Sequence, residues 1–341
     1  MPDHTPPNPT PARLTLETDG EIRGTPLAAY LAETCGTDPQ RRALAVLIEG
    51  IAAASVPLAR RLAAGKLPGD PTAIVGTNES GDRQKALDMG AHHHLVAAMN
   101  GLSVASVLSE EAEEIIPLDP AGLFDVAMDP IDGSGSIGIG APLGALFCVF
   151  PAGGGFLRKG REAIAAVYVS FGHSTDLGFS MGDGVALATL DPDTGVFHID
   201  TPRVALPPSA DTVAFNASNL CHWSDGLRRY VGDLMKGADG PRGRDVNMRW
   251  LAAAVGDLHR ILRREGLFMY PADARPGYED GYLRLAYEAF PIAFLIEQAG
   301  GAATDGATPI LDLAPAHPHA RVPLFFGARD EIATVHDYLA R

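Results

Sequence analysis

The sequence predicts an α/β protein of two subdomains. Strand-like apolar runs alternate with segments whose apolar residues recur at helical spacing. A proline-rich stretch at residues 201–209 interrupts this alternation, and a chain of 341 residues favours about two subdomains by its length. We therefore expect an N-terminal subdomain at residues 14–205 and a C-terminal subdomain at residues 206–341.

The composition argues against several classes of protein. With 27 basic and 42 acidic residues the net charge is −15, so we expect no nucleic-acid partner and no anionic membrane surface. The cysteines Cys35, Cys148 and Cys221 have no metal-ligand or redox spacing, which predicts a reduced, cytoplasmic compartment. An acidic protein that binds a polyanion needs cations in its binding site.

The N-terminal segment is not expected to belong to the fold. Residues 1–13 are rich in proline, threonine and asparagine, and they lack the basic start and apolar core of a signal peptide. They predict a disordered tail. No run approaches the roughly 18 uninterrupted apolar residues that a membrane span needs.

Two helical segments follow. The apolar residues of positions 39–64 recur at helical spacing, and their basic neighbours are interpreted as a solvated face. A polar turn at residues 76–81 precedes a second helical segment, in which Asp82 and Asp88 do not share a face. They converge only if Asp82 lies in the loop, and each alone is typical of a cap or surface acid. Residues 92–94 are consecutive histidines, so a metal could bind at most one or two of them, and we expect none there.

A strand-like run at residues 102–108 is followed by Glu110 and Glu111. Functional side chains collect at the carboxyl ends of strands in open α/β sheets. The glutamate pair is therefore either a cation site or merely the start of an acidic helix, because two further glutamates come soon after it.

The next strand carries the most informative motif. Residues 123–128 are apolar-rich and strand-like, and a strand here should stop at Asp129, since a proline follows it. Asp132 lies in the same turn. Gly133 and Ser134 then offer backbone N–H groups in a geometry suited to a phosphate. Two carboxylates beside such a turn indicate a divalent cation that bridges the protein to a phosphoryl group, and Mg²⁺ prefers this kind of site.

The rest of the chain completes the α/β pattern. Strands are predicted at residues 143–150, 165–170 and 185–190, joined by short turns that favour an antiparallel or mixed sheet. The second half should contain, in order, a strand at 213–219, a helix from Asn247 to about Arg263, a strand at 267–270 and a helix at 286–301. Glu288 lies near the start of that last helix, where a structural role and a ligand role both remain open.

The motif at residues 129–134, Asp-Pro-Ile-Asp-Gly-Ser, preceded by Glu110 and Glu111, resembles the metal signature of the lithium-sensitive, magnesium-dependent sugar and inositol phosphatases. Within that superfamily the chain most resembles a divergent bacterial member of the class 1 fructose-1,6-bisphosphatases. The further matching segments are residues 81–88, 257–260, 266–271, 283–288 and 297–301. The Trp-Asp dipeptide of the inositol phosphatases is absent from the sequence.

The resemblance implies a layered α-β-α-β-α sandwich, usually assembled as a homotetramer. It implies hydrolysis of the 1-phosphate of fructose 1,6-bisphosphate, in gluconeogenesis or a carbon-fixation cycle, with two or three Mg²⁺ ions per site and Mn²⁺ as a possible substitute. The implied metal ligands are Asp82, Glu110, Asp129, the carbonyl of Ile131, Asp132 and Glu288. The implied pair that orients and deprotonates the attacking water is Asp88 and Glu111. The implied substrate-binding residues are Asp132, Gly133, Ser134, Asn216, Arg249, Tyr270 and Tyr282.

The chain also departs from the family pattern. Residues 135–138 read Gly-Ser-Ile-Gly where Ser-Asn-Ile-Asp is usual, and Tyr282 stands at a position that is commonly basic. The tyrosine that the family usually has near Asn219 is missing. Trp250 stands at a position where many family members have tyrosine. Three alternatives therefore stay open: another sugar bisphosphate such as sedoheptulose 1,7-bisphosphate, a non-catalytic metal-binding relative, and, least favoured, a metal module at residues 92–94.

Overall fold

The structure is a computed structural model, and it describes residues 16–77 and 83–340. The expected tail at residues 1–13 lies outside this part of the chain, and so does Asp82.

The described residues contain the following elements. The helices are α1 Leu27–Thr34, α2 Pro39–Ala63, α3 Ala86–Met99, α4 Asp225–Leu234, α5 Ala254–Arg263, α6 Phe290–Gln298 and α7 Arg329–Leu339. A turn of π-helix, Leu285–Ala289, leads into α6. The strands are β1 Thr25–Pro26, β2 Ile74–Thr77, β3 Arg83–Lys85, β4 Val104–Ser109, β5 Ile116–Pro117, β6 Phe124–Asp132, β7 Leu143–Pro151, β8 Ala165–Phe171, β9 Thr175–Ser180, β10 Ala186–Asp191, β11 Val196–Thr201, β12 Thr212–Phe215, β13 Asn247–Met248, β14 Leu267–Tyr270, β15 Leu283–Arg284, β16 Ala302–Thr304, β17 Arg321–Val322 and β18 Leu324–Gly327.

Two large sheets organise the described part of the chain. The first has the strand order β1-β11-β10-β9-β8-β7-β6-β4-β5 and is mixed, because β4 runs parallel to β6 while the other pairs are antiparallel. The second has the order β13-β12-β14-β18-β16, with a parallel β13-β12-β14 part. Two short ribbons, β15-β17 and β2-β3, complete the pairing.

Alternating residues bury both faces of each sheet. In β7, Phe147 packs in the core shared with α2 and α3, whereas Leu146 packs in a core shared with α5 and α6. In β14, Phe268 faces that same α5 and α6 core, whereas Met269 packs against α4 and α7. Since neighbouring strand residues point to opposite faces, α2 and α3 cover one side of the first sheet, α5 and α6 lie between the two sheets, and α4 and α7 cover the far side of the second, which makes five layers. The layered α-β-α-β-α arrangement and the α/β class are thus confirmed.

Several sequence expectations were wrong in detail. The strand expected to stop at Asp129 continues to Asp132, with an irregular register between the two. Asn247 does not cap a helix, because it lies in β13 and helix α5 begins only at Ala254. Asn247 instead pairs with Thr212, and tertiary pairing has overridden a local cap signal.

Helix α2 agrees with its prediction and needs one comment. Asp38 caps it, and its carboxylate accepts hydrogen bonds from the backbone N–H groups of residues 40 and 41. By length and composition α2 could cross a membrane, but 56% of its most apolar window is buried inside the protein. Leu47 and Ile48 are completely buried in the core. The core helix of a soluble protein can have the same length and apolar composition, so these two features of α2 are weak support for a membrane span.

Candidate active site

A cluster of three buried acids lies where β6 meets the π-helical turn. Asp129, Asp132 and Glu288 each offer a carboxylate oxygen, and these oxygens lie within 4.8 Å of one another. All three side chains are buried. Single π-helical turns are rare and occur frequently at functional sites, which fits the position of Glu288.

The irregular end of β6 brings Asp129 and Asp132 together. Residues three apart in a regular strand point to opposite faces, so the two carboxylates could not meet without the break in register. The Asp129 carboxylate accepts a hydrogen bond from the Ile131 N–H at 2.8 Å, which holds the bend. Gly133 then adopts a left-handed backbone at φ 82°. A Cβ there would lie 2.5 Å from the Cβ of Ala253, so this position requires glycine.

Helix α5 supports Asp132 from its N-terminus. The Asp132 carboxylate accepts a hydrogen bond of 2.6 Å from the N–H of Val255, in the first turn of α5. A helix N-terminus favours a carboxylate there. Burial nevertheless raises the pKa of Asp132 to about 7, and nearby Glu110 adds to the rise.

The acids of this cluster repel one another. Burial, followed by the charge of Glu110, raises the pKa of both Asp129 and Glu288 well above the usual range. Concentrating carboxylates in a dry site is unfavourable unless a cation neutralises them. The oxygen donor set and its burial therefore fit a hard divalent cation such as Mg²⁺.

Glu110 borders the cluster from the end of β4. Its N–H donates to the carbonyl of Met128, which fixes it beside β6. Arg284 approaches Glu110 from the other side, with 3.7 Å between Nη1 and Oε1. The backbone N–H of Arg284 also donates to the Glu288 carboxylate. This buried arginine offsets part of the negative charge.

The expected water-activating pair is held by β3 and the start of α3. Gln84 donates from Nε2 to both the Oε2 of Glu111, at 2.8 Å, and its carbonyl, at 3.0 Å. The Lys85 N–H donates to Oδ2 of Asp88, whereas Oδ1 is buried and has no hydrogen-bond partner among the described residues. Burial raises the pKa of Asp88 to about 6. Asp88 thus has one carboxylate oxygen without a hydrogen-bond partner among the described residues, and its pKa lies near neutral pH.

The expected phosphate turn follows directly after Asp132. Ser134 begins a short 3-10 turn, and its carbonyl accepts a hydrogen bond of 2.5 Å from Nζ of Lys85. The Gly133 N–H lies close enough to the Asp132 carboxylate to lower its pKa. Lys85 thus holds the turn that carries the two expected phosphate donors.

The expected sugar-binding residues meet at one edge of the second sheet. Arg249, Asn216 and Tyr270 lie at the carboxyl ends of the parallel strands β13, β12 and β14. Carboxyl ends of parallel strands are the usual place for ligand contacts. Tyr282 stacks on Tyr270, with ring centroids 5.4 Å apart, so it joins the same edge.

Comparison with known proteins assigns the chain to a family. The family models described as the N-terminal and C-terminal domains of fructose-1-6-bisphosphatase match residues 41–202 and 206–340. Class 1 fructose-1,6-bisphosphatases of Brucella anthropi and Brucella suis are each 51% identical over 317 residues, which cover 92% of this chain and 93% of each relative. The chain belongs to the fructose-1,6-bisphosphatase family. This family consists of metal-dependent phosphatases.

Solved structures of the family support the fold. Leishmania major fructose-1,6-bisphosphatase in holo form gives a TM-score of 0.86 at 28% identity, covering 94% of this chain and 100% of that chain. The apo form gives 0.81 at 25% identity with the same coverage.

The histidines at residues 92–94 have structural partners. The His92 ring bonds to the Ser109 hydroxyl at 2.8 Å, and His94 Nε2 bonds to the Ala54 carbonyl at 2.8 Å. His93 packs edge-on against His92. Two of the three rings thus fix α3 to its neighbours, which disfavours a separate metal module in this family member.

The glycine-rich loop that departs from the family pattern has a defined conformation. Ser136 and Ile137 are buried, and their N–H groups bond back to the carbonyls of Gly133 and Ser134. Gly138 adopts a left-handed backbone at φ 82°. Two anchored residues therefore hold the loop despite its glycine content.

Sequence reasoning missed the residues that hold the fructose-1,6-bisphosphatase site together. Gln84, Lys85 and Arg284 contact acids or the phosphate turn, and none of them was proposed as a site residue. β3 was expected to be helical or turn, which hid the contacts of Gln84 and Lys85. Arg284 carried a signal that could have been used, because an arginine four residues before Glu288 lies in an otherwise apolar segment.

Proposed function

We propose that this chain hydrolyses the 1-phosphate of fructose 1,6-bisphosphate, releasing fructose 6-phosphate and phosphate. The observation that carries the proposal is the buried trio Asp129, Asp132 and Glu288, next to the turn that begins at Gly133 and within the fructose-1,6-bisphosphatase family. Structural acids would not be gathered so closely in a dry site.

The proposed metal ligands are Glu110, Asp129, the Ile131 carbonyl, Asp132 and Glu288, with Asp82 outside the described residues. We propose Mg²⁺ as the cation, two or three per site, with Mn²⁺ as a substitute. When bound, a divalent cation supplies positive charge to the phosphoryl oxygens and acidifies the attacking water. Arg284 limits the repulsion between Glu110 and Glu288.

Asp88 and Glu111 are the proposed water-activating residues. Asp88 accepts the proton of the attacking water through its unpartnered Oδ1, because its pKa of about 6 leaves it mostly ionised at neutral pH. Gln84 holds Glu111 in a fixed orientation, so that Glu111 positions the same water. The backbone groups of Gly133 and Ser134 bind the 1-phosphate, and Lys85 keeps that turn in place.

The sugar and its second phosphate bind at the edge of the second sheet. We propose that Asn216, Arg249, Tyr270 and Tyr282 contact them. Arg249 is exposed, and its guanidinium donates only to the carbonyl of Met248 among the described residues, so it remains available.

A substrate panel tests the proposal. Purified protein should release phosphate from fructose 1,6-bisphosphate with Mg²⁺ or Mn²⁺, and Glu110→Gln should lose most of this activity. Absence of any phosphate release from this substrate would refute the proposal. A higher kcat/KM for sedoheptulose 1,7-bisphosphate would instead assign the altered sugar site to that substrate.

The non-catalytic alternative makes a different prediction. A relative that only binds metal would show tight metal binding but no hydrolysis of any sugar phosphate, and Asp88→Ala would change nothing. Homotetrameric assembly and a cytoplasmic location are further proposals, and sedimentation analysis of the purified protein tests the first of them.

A further inference from the structure

Three stacked tyrosines form a continuous aromatic surface beside the proposed sugar site. Tyr270 stacks on Tyr282 at 5.4 Å, and Tyr278 stacks on the opposite side of Tyr282 at 5.3 Å. Trp250 extends this tyrosine stack, with its ring 6.1 Å from that of Tyr270. The middle ring belongs to Tyr282, which brings no charge to a position where a phosphate would need one.

Two arginines approach the ring of Tyr282. The guanidinium carbons of Arg284 and Arg321 lie 5.8 Å and 5.5 Å from its centroid. Arg284 and Arg321 are opposite each other in the antiparallel β15-β17 ribbon, so their side chains leave the ribbon on the same face. Tyr282 therefore lies beside a pair of positive charges.

The two arginines have different partners. Arg284 is buried and forms an ion pair with Glu110, which commits its charge to the metal centre. Arg321 is half-buried and donates from Nη1 to the Gly277 carbonyl at 2.9 Å. Among the described residues, no carboxylate lies within ion-pair distance of Arg321. An arginine without an acid partner is notable in a chain with a net charge of −15.

A third arginine at the stack provides a comparison. Arg275 lies over the ring of Tyr278 at 4.0 Å, but its guanidinium makes three hydrogen bonds to the carboxylate of Asp273. Its charge is already neutralised. Of these three arginines, only Arg321 combines a fixed position on the stack with an uncompensated charge.

We propose that Arg321 binds the phosphate of the substrate that lies farther from the metal centre. This inference rests on the proposed function and adds a residue that determines substrate specificity. The bond to the Gly277 carbonyl and the nearby Tyr282 ring, 5.5 Å away, restrain the guanidinium, so little side-chain entropy is lost on binding. Its planar fork suits two phosphate oxygens at once.

The arrangement explains a preference for bisphosphates. The acid cluster, once it has bound cations, recognises one phosphate, and Arg321 recognises the other. A sugar with a single phosphate uses only one of these sites. Arg321 thus provides the charge that Tyr282 lacks, from a neighbouring strand.

The test compares Arg321→Gln with Arg275→Gln, a matched arginine whose charge Asp273 neutralises. Arg321→Gln should raise the KM for fructose 1,6-bisphosphate by roughly 10- to 100-fold and change kcat less than about threefold. The inhibition constant of fructose 6-phosphate should rise by a similar factor. Hydrolysis of fructose 1-phosphate should keep its kcat/KM, and Arg275→Gln should change each value less than about twofold.

Other outcomes overturn the inference separately from the proposed function. An unchanged KM in Arg321→Gln, or equal losses on fructose 1-phosphate and fructose 1,6-bisphosphate, would reject Arg321 as the phosphate ligand. A wild-type protein inactive on fructose 1,6-bisphosphate would reject the function itself. Arg321→Met keeps the aliphatic stem on Tyr282, and it replaces the glutamine variant if thermal unfolding shows that the latter folds poorly.

Discussion

The two ends of the proposed site are built by opposite strategies. At the metal end, buried acids are crowded together and each is held by backbone donors, as Asp132 is by Val255. At the sugar end, the residues are partly exposed and the tyrosines are stacked, and the charge comes from Arg249 after β13 and from Arg321 in β17. The metal end is therefore destabilised until a cation binds, whereas the charges of the sugar end that have no acid partner among the described residues, on Arg249 and Arg321, lie on residues that are exposed or half-buried. Changes at the first should affect kcat and folding, and changes at the second should affect KM.

The largest expected effect at the metal end concerns Asp88. Asp88→Asn should lower kcat by roughly 10²- to 10⁴-fold, because the amide cannot accept the proton of the attacking water. Folding should not suffer, since the buried charge carries a cost in the wild type. Steady-state kinetics and thermal unfolding measure the two effects, with exposed Asp70→Asn as the control. A loss of activity that parallels a loss of stability would contradict this reading.

Metal-free protein should become less stable as pH rises. Asp132 titrates at about 7 in the folded state and near 3.8 when unfolded, so between about pH 4 and 7 the folded protein binds more protons. Its free energy of unfolding then falls with rising pH, by about 2 kcal/mol between pH 5 and pH 7 for this residue alone. Asp129 and Glu288 shift in the same direction.

Denaturant unfolding in a chelator at pH 5 and pH 7 measures that loss. Adding Mg²⁺ at pH 7 should restore the stability, because the cation replaces the protons. A metal-free protein that is equally stable at both pH values would show that the acids are already neutralised by other groups.

Gly133 and Gly135 form a matched pair that separates geometry from flexibility. Gly133→Ala should destabilise the protein by about 1–3 kcal/mol and abolish most activity, because it adds a clash with Ala253 to a left-handed backbone. Gly135 has open space around its Cβ position, so Gly135→Ala should change activity less than about threefold. Equal effects of the two variants would mean that loop flexibility, and not the Gly133 geometry, sets the activity.

Lys85 should have an intermediate effect. Lys85→Met removes the bond from Nζ to the Ser134 carbonyl, so the phosphate turn loses one anchor. We expect kcat/KM to fall by roughly 10- to 30-fold. Lys66→Met, which removes an exposed lysine, serves as the control in the same phosphate-release assay.

The smallest effect belongs to the sugar end. Tyr270→Phe keeps the stacking on Tyr282 and removes only a hydroxyl. KM should rise about two- to tenfold with kcat nearly unchanged. A large change in kcat would show that the two ends are not separable.

Sequence reasoning reached the acids of the metal end because local motifs carry them. The residues 129–134 lie in one segment, so their proximity needs no knowledge of the fold. Glu288 required the family resemblance, since 156 positions separate it from Asp132 and no spacing rule joins them. The supporting contacts could not be predicted at all. Lys85 and Ser134 are 49 positions apart in sequence, and no spacing rule joins them.

The error at Asn247 has a similar physical origin. Asparagine is a good helix cap by its local chemistry. The pairing of Asn247 with Thr212 nevertheless places it in a strand, and α5 begins only at Ala254. This delay has a use, because it sets the N-terminus of α5 against Asp132. Long-range strand pairing, and not the local sequence, therefore sets the residue at which α5 begins.

The segment between β13 and α5 joins the two ends of the site by a very short path. Arg249 and Trp250 contribute to the sugar end, and five residues after Trp250 the N–H of Val255 holds Asp132. Ala252 between them adopts a left-handed backbone at φ 63°, which is costly for a residue with a side chain. The strained Ala252 thus lies on the short chain path between Trp250 and the N–H group that holds the Asp132 carboxylate.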